Sequence, residues 1–139
     1  MSSSYPSLDL TFQRLREVRK AFLHLHKALL NSERTVYEQF HGRIRSNGEF
    51  FQLVINHDWF SWLRPISQFI AEVDEAFDPK TKEPMTLERA TALLDRAKTF
   101  IQPDLNGTIP QKQYYRAIQR DPDIAMMHAR VSELLDEKQ

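Results

Sequence analysis

The chain has 139 residues, with 19 Lys and Arg against 19 Asp and Glu and a formal net charge of zero. It has no cysteine, which excludes a disulfide framework, a thiol nucleophile and zinc–thiolate sites. No apolar run approaches the ~20 residues of a transmembrane helix.

The length fits one domain with its own core. Residues 1–7 lack the basic and apolar parts of a signal peptide. The expectation is a cytoplasmic protein with a flexible N-terminus over 1–7 and one helical-bundle domain over 8–139. Charge is unevenly spread. Residues 1–48 carry eight Lys/Arg and four Asp/Glu, residues 49–78 one and six, and residues 79–139 ten and nine. A basic first segment and an acidic second one suit each other as antiparallel neighbours.

The first predicted element is a long helix. Leu15, Val18, Phe22, Leu25, Leu29, Ser32, Val36 and Phe40 recur in steps of three and four, one face of a helix or a coiled-coil seam. Ser7 or Asp9 caps its start, and it runs to about Arg45, continuous through Asn31-Ser32 because the phase is kept. Ala21, Ala28, Thr35 and Gly42 form a small-residue stripe beside the seam. Ser46-Asn-Gly-Glu49 reads as a turn with a capping box. A second helix then starts with Phe50, Phe51, Leu53, Val54 and Ile55. It shifts phase at Asn56-His57-Asp58 and continues through Trp59, Trp62, Ile66, Phe69, Ile70, Val73 and Phe77. Pro65 predicts a kink or restart near 61–65.

Residues 78–85 form a polar loop, and Thr86 caps a third helix with Leu87, Ala90, Leu93, Leu94, Ala97 and Ile101 on its buried face. Asn106-Gly107 marks a turn between Pro103 and Pro110. A short helix follows from Gln111 to Arg120. Asp121-Pro122 opens a last helix carrying Ile124, Met127, Val131, Leu134 and Leu135. No window reads as a strand. The fold class is therefore all-α, an antiparallel bundle of about four main helices with a long N-terminal helix and a Pro-kinked second one. The stretch Phe51 to Phe77, most sharply His57 to Ser67, resembles small all-helical bacterial proteins of unassigned function. That resemblance implies no activity and no site.

Several constellations bear on chemistry. His57, Asp58, Trp59, Trp62 and Arg64 gather at the phase break, and the functional reading of that grouping is a small polar ligand site in an apolar wall. The simpler reading makes Asp58 a cap and the indoles core. Glu38 and His41 have the Glu-x-x-His spacing of di-iron bundles, but their phase is outward and no second pair exists. His26 alone of the histidines flanks the seam. Asp104 to Ile109 resembles the middle of an EF-hand loop, yet Gln102 and Gln113 stand at its first and last ligand positions, so it reads as a turn. Tyr114-Tyr115 and Met126-Met127-His128 suit either core or an adaptable interface. Lys20, Lys27 and Arg34 share an outward face, interleaved with Glu17, Glu33 and Glu38.

No phosphate loop, triad or paired carboxylates are seen. The reading leans away from an enzyme and expects no catalytic residue, no metal, no cofactor and no membrane partner. The leading expectation is a non-enzymatic interaction or assembly module acting as a homodimer through the seam. The alternative is a bundle binding a small ligand, metal or haem near His57–Arg64. Nucleic-acid binding by the basic face of the first helix comes third.

Overall fold

The computed structural model of the chain describes residues 6–136. Six α-helices follow one another: α1 (Pro6–His41), α2 (Asn47–Asn56), α3 (Arg64–Phe77), α4 (Leu87–Thr99), α5 (Ile109–Arg120) and α6 (Pro122–Asp136). A 3-10 turn, Asp58–Leu63, lies between α2 and α3, and the described residues contain no strand. The protein is all-α. The expected flexible segment 1–7 lies outside the described residues except for Pro6 and Ser7, the first two of α1. Ser7 and Asp9 both stand inside that helix, so its start precedes the two caps the sequence suggests.

At 36 residues α1 spans about 54 Å. It is unbroken through Ser32 and packs mainly against α6, α4 and α3. Leu15, Val18, Phe22, Leu25 and Leu29 are fully buried. Each such side chain stabilises the fold by about 1.5–3 kcal/mol relative to exposure. Phe22, Phe69 and Phe100 form the centre, with ring centroids 5.5 Å (Phe22–Phe69), 6.4 Å (Phe22–Phe100) and 5.3 Å (Phe69–Phe100) apart. Ile66, Ile70 and Val73 of α3, Ala90, Leu93 and Ala97 of α4, and Ile124, Val131 and Leu134 of α6 complete this core. The basic and acidic segments do meet: both nitrogens of an Arg19 fork bind Asp74 of α3, at 2.8 and 3.2 Å.

Beyond Leu29 the predicted seam departs from the structure. Phe40 is 72% exposed and Val36 only half-buried. Phe40 stands about five turns after Phe22, on the same line of the helix. Its phase is correct, but α1 has outrun the helices that would cover it. The buried position between Leu29 and Val36 is Glu33, 3% exposed, rather than Ser32. The helix also ends at His41, earlier than Arg45, because Gly42 takes a left-handed φ of +85° suited to a residue without Cβ.

The single Pro-kinked second helix is replaced by α2, the 3-10 turn and α3. The α-helical run is interrupted at His57 and restarts at Arg64, inside the 61–65 window that Pro65 predicts, with Pro65 in the first turn of α3, where its missing N–H is no loss. Thr86 caps α4 by accepting from the Arg89 N–H at 3.1 Å. The Asn106-Gly107 turn is tied to Asp104, and Thr108 caps α5 with Gln111 in a full capping box. Asp121 accepts from the Asp123 N–H at the start of α6. These caps fix the starts of α4, α5 and α6.

Candidate functional site

α2 contains Phe50, Phe51, Leu53, Val54 and Ile55, yet none of its ten residues is buried. Local chemistry explains why it forms. Ser46 caps it, accepting from the Glu49 N–H at 3.0 Å, and the Glu49 carboxylate turns back to the Arg45 N–H at 3.1 Å. Its other end is held by Arg64, which donates from Nε to the Val54 carbonyl at 3.3 Å and from Nη2 to the His57 carbonyl at 3.1 Å. A cation on those last carbonyls also meets the negative end of the helix dipole.

The main contacts of α2 are with the 3-10 turn, where Phe50 meets Phe60 edge-on at 5.7 Å. Arg34 lies over the Phe50 ring at 4.7 Å. Between α2, α1 and the start of α3 runs a groove of about 570 Å³, within the usual range for small-molecule sites. Asn47, Phe50, Phe51 and Val54 face it from α2, the spacing of one helix face. His26 and Leu30 face it from α1, and Phe60, Leu63, Arg64, Ser67 and Gln68 close the remaining side. The face that a packed helix would bury therefore lines an open groove. Phe51 and Ile55 at its rim are 60% and 45% exposed.

Burial holds the His26 imidazole below its ordinary value, and a hydrogen bond to the Leu63 backbone offsets part of that effect. The ring is therefore neutral at neutral pH, and Arg64 is the permanent cation of the groove. No Asp or Glu lines it.

The five residues singled out by sequence do not converge on one cavity. Arg64 lines the groove. His57 turns its Nδ1 to the Trp59 N–H at 3.0 Å and so caps the 3-10 turn itself, the part expected of Asp58. Asp58 is exposed, and its backbone carbonyl accepts from the Ser61 hydroxyl at 2.7 Å. Trp59 joins Tyr37, Phe40 and His41 in an aromatic cluster, with Tyr37 stacked on His41 at 4.3 Å and Trp59 5.5 Å from His41. Its buried indole N–H has no hydrogen-bond partner among the described residues. Trp62 points the other way, donating to Glu33 at 3.4 Å and lining a smaller groove of about 320 Å³ with Pro65, Phe100 and Pro110.

No family model, no curated protein and no solved structure matches this chain. The site is therefore read from its own residues. Glu38 binds the Ile44 N–H at 2.8 Å and pairs with Arg34 at 3.8 Å. Arg34 is thereby engaged with Glu38, the Ile44 carbonyl and the Phe50 ring. Among the described residues no three His, Asp or Glu side chains gather as a metal site would require, and no helix is long and apolar enough to cross a membrane.

Sequence reasoning missed two features. Glu33, treated as a surface charge, is buried and ion-paired with Arg120, whose Nε also donates to the Ser32 hydroxyl at 2.8 Å. The signal was present: Glu33 stands about five turns after Leu15, on the buried line. Tyr114 and His128, placed on separate amphipathic stretches, share a 2.8 Å hydrogen bond between α5 and α6. Burial pushes the Tyr114 phenol up and the His128 imidazole down, so both are neutral. A further groove of about 490 Å³ lies between α1 and α6, lined by Glu17, Lys20, His24, Met126 and Arg130. Its lining charges are of both signs.

Proposed function

We propose that this protein works by binding rather than by catalysis, and that it binds through the inner face of α2. One observation carries the reading: the helix with five large apolar residues buries none of them, although the same chain buries Leu15 to Leu29 completely. An exposed apolar face of that kind marks an interaction site or a ligand groove. His26, Asn47, Arg64, Ser67 and Gln68 converge on it with polar groups, which supports a small ligand held under α2. In this reading α1, α3, α4 and α6 are the antiparallel bundle, and α2 with the 3-10 turn is its binding attachment. A cytoplasmic setting belongs to the same proposal, and the absence of cysteine fits it.

A homodimer is the second reading, favoured by the exposure of Phe40 at 72% near the same end of α1. A partner copy would cover Phe40 and the α2 rim together, in a two-fold contact. Native mass spectrometry of the purified protein separates the two. A monomer carrying a reproducible non-covalent mass supports the ligand reading, and a dimer without added mass supports assembly. A bare monomer that also fails to bind a hydrophobic dye in solution contradicts both.

A further inference from the structure

The groove under α2 carries a cation that no carboxylate among its lining residues balances. Arg64 forms no ion pair with the described residues. Its Nε and Nη2 are spent on the carbonyls of Val54 and His57, and its Nη1 makes no hydrogen bond among them. Of the carboxylates on nearby turns, Glu33 pairs with Arg120, Glu38 accepts from the Ile44 N–H and Glu49 from the Arg45 N–H, while the exposed Asp58 forms no ion pair with Arg64 and does not line the groove. The two carbonyls hold the guanidinium plane fixed at the end of α2, so one edge of it is already oriented. Around it the groove is apolar, walled by Leu30, Phe50, Phe51 and Val54. A preset guanidinium edge in an apolar setting is matched by a carboxylate, through charge-assisted hydrogen bonds that strengthen as water is excluded.

Resting on the reading that this groove binds a small molecule, we infer that its ligand is an amphipathic monocarboxylate. The apolar body lies along Phe50, Phe51 and Val54, and the carboxylate meets the free Nη1 of Arg64. Neutral polar groups at Asn47, Ser67 and Gln68 accept or donate around the head without adding a competing negative charge.

Isothermal titration of the intact chain with three probes of equal chain length tests this: decanoate, 1-decanol and decyltrimethylammonium. The expected result is decanoate at least about tenfold tighter than decanol, with the ammonium compound weakest. In Arg64→Gln the advantage of decanoate over decanol disappears, whereas Arg64→Lys keeps most of it. Equal affinities for decanoate and decanol overturn the monocarboxylate inference and leave the groove itself standing. Tightest binding of the ammonium compound overturns it as well. Retention of the decanoate preference in a folded Arg64→Gln protein places the charge recognition elsewhere and also overturns it. Absence of saturable binding by all three removes the small-ligand reading together with the inference. The comparison of probes on the unmutated chain holds even where Arg64→Gln loosens α2.

Discussion

The two ends of α1 differ in what faces them. From Leu15 to Leu29 the helix is enclosed by α3, α4 and α6, and its apolar line is sealed from water. From Tyr37 to His41 it meets the 3-10 turn, Phe40 is open, and α2 stands over a groove. The two regions use the same residue types. They differ in the number of neighbouring elements, so apolar side chains act as structural core at one end and as accessible surface at the other. Mutations at the first should register as stability, and mutations at the second as binding.

The largest effect that separates the ends is a pair of truncations. Phe22→Ala is expected to cost about 3–5 kcal/mol, because the cavity it leaves among Phe69 and Phe100 cannot collapse fully. Phe51→Ala should change stability by no more than about 0.5 kcal/mol. Urea denaturation of both proteins measures the contrast. Comparable losses would mean that α2 is part of the core.

Next in size is the buried ion pair at the border of the two regions. Arg120→Ala leaves the Glu33 carboxylate buried with only the Trp62 N–H as partner. The expected cost is about 3 kcal/mol, at the low end for such pairs because Arg120 is partly open to water. The double replacement Glu33→Leu with Arg120→Leu should recover most of it. A double variant as unstable as Arg120→Ala would show that the pair contributes more than its mutual compensation.

His57→Ala removes the cap of the 3-10 turn and should cost about 1 kcal/mol. Asp58→Ala should be neutral within about 0.5 kcal/mol, since Asp58 is exposed and its contribution to the turn is its backbone carbonyl. The reverse order, measured by thermal melts, would return the capping role to Asp58.

The smallest effect is electrostatic. Burial opposes the charge of the His26 imidazole and holds its folded pKa below the ordinary histidine value. Its contribution to stability is therefore intact above the unfolded pKa and is lost as pH falls below it, when the unfolded chain takes up the proton first. An NMR titration of the His26 ring should give a midpoint under 6.5. A midpoint at or above that value would mean the ring is solvated rather than half-buried against the groove.

Much of the fold was legible because it rests on short-range rules. The period of Leu15 to Leu29, the caps at Ser46, Thr86 and Asp121, and the turn at Asn106-Gly107 each follow from a few neighbouring residues. The exposure of Phe40 was not legible, since it depends on which helices reach the end of α1. Nor was the groove. The apolar run Phe50 to Ile55 reads as core in sequence, and only the tertiary arrangement shows that it packs on the 3-10 turn without being buried. Of the five proposed site residues, Arg64 lines the groove. His26, which faces the same groove, flanks the seam in sequence, and only the fold joins it to Arg64.

The central claim is that the inner face of α2 is where this protein binds. The most direct measurement is a proton–nitrogen correlation NMR titration of the intact chain with decanoate. Saturable shifts confined to Asn47–Asn56, to Leu63 through Gln68 and to the turn of α1 around His26 are the predicted result. Shifts centred on Lys20, His24, Met126 and Arg130, in the groove between α1 and α6, would contradict it.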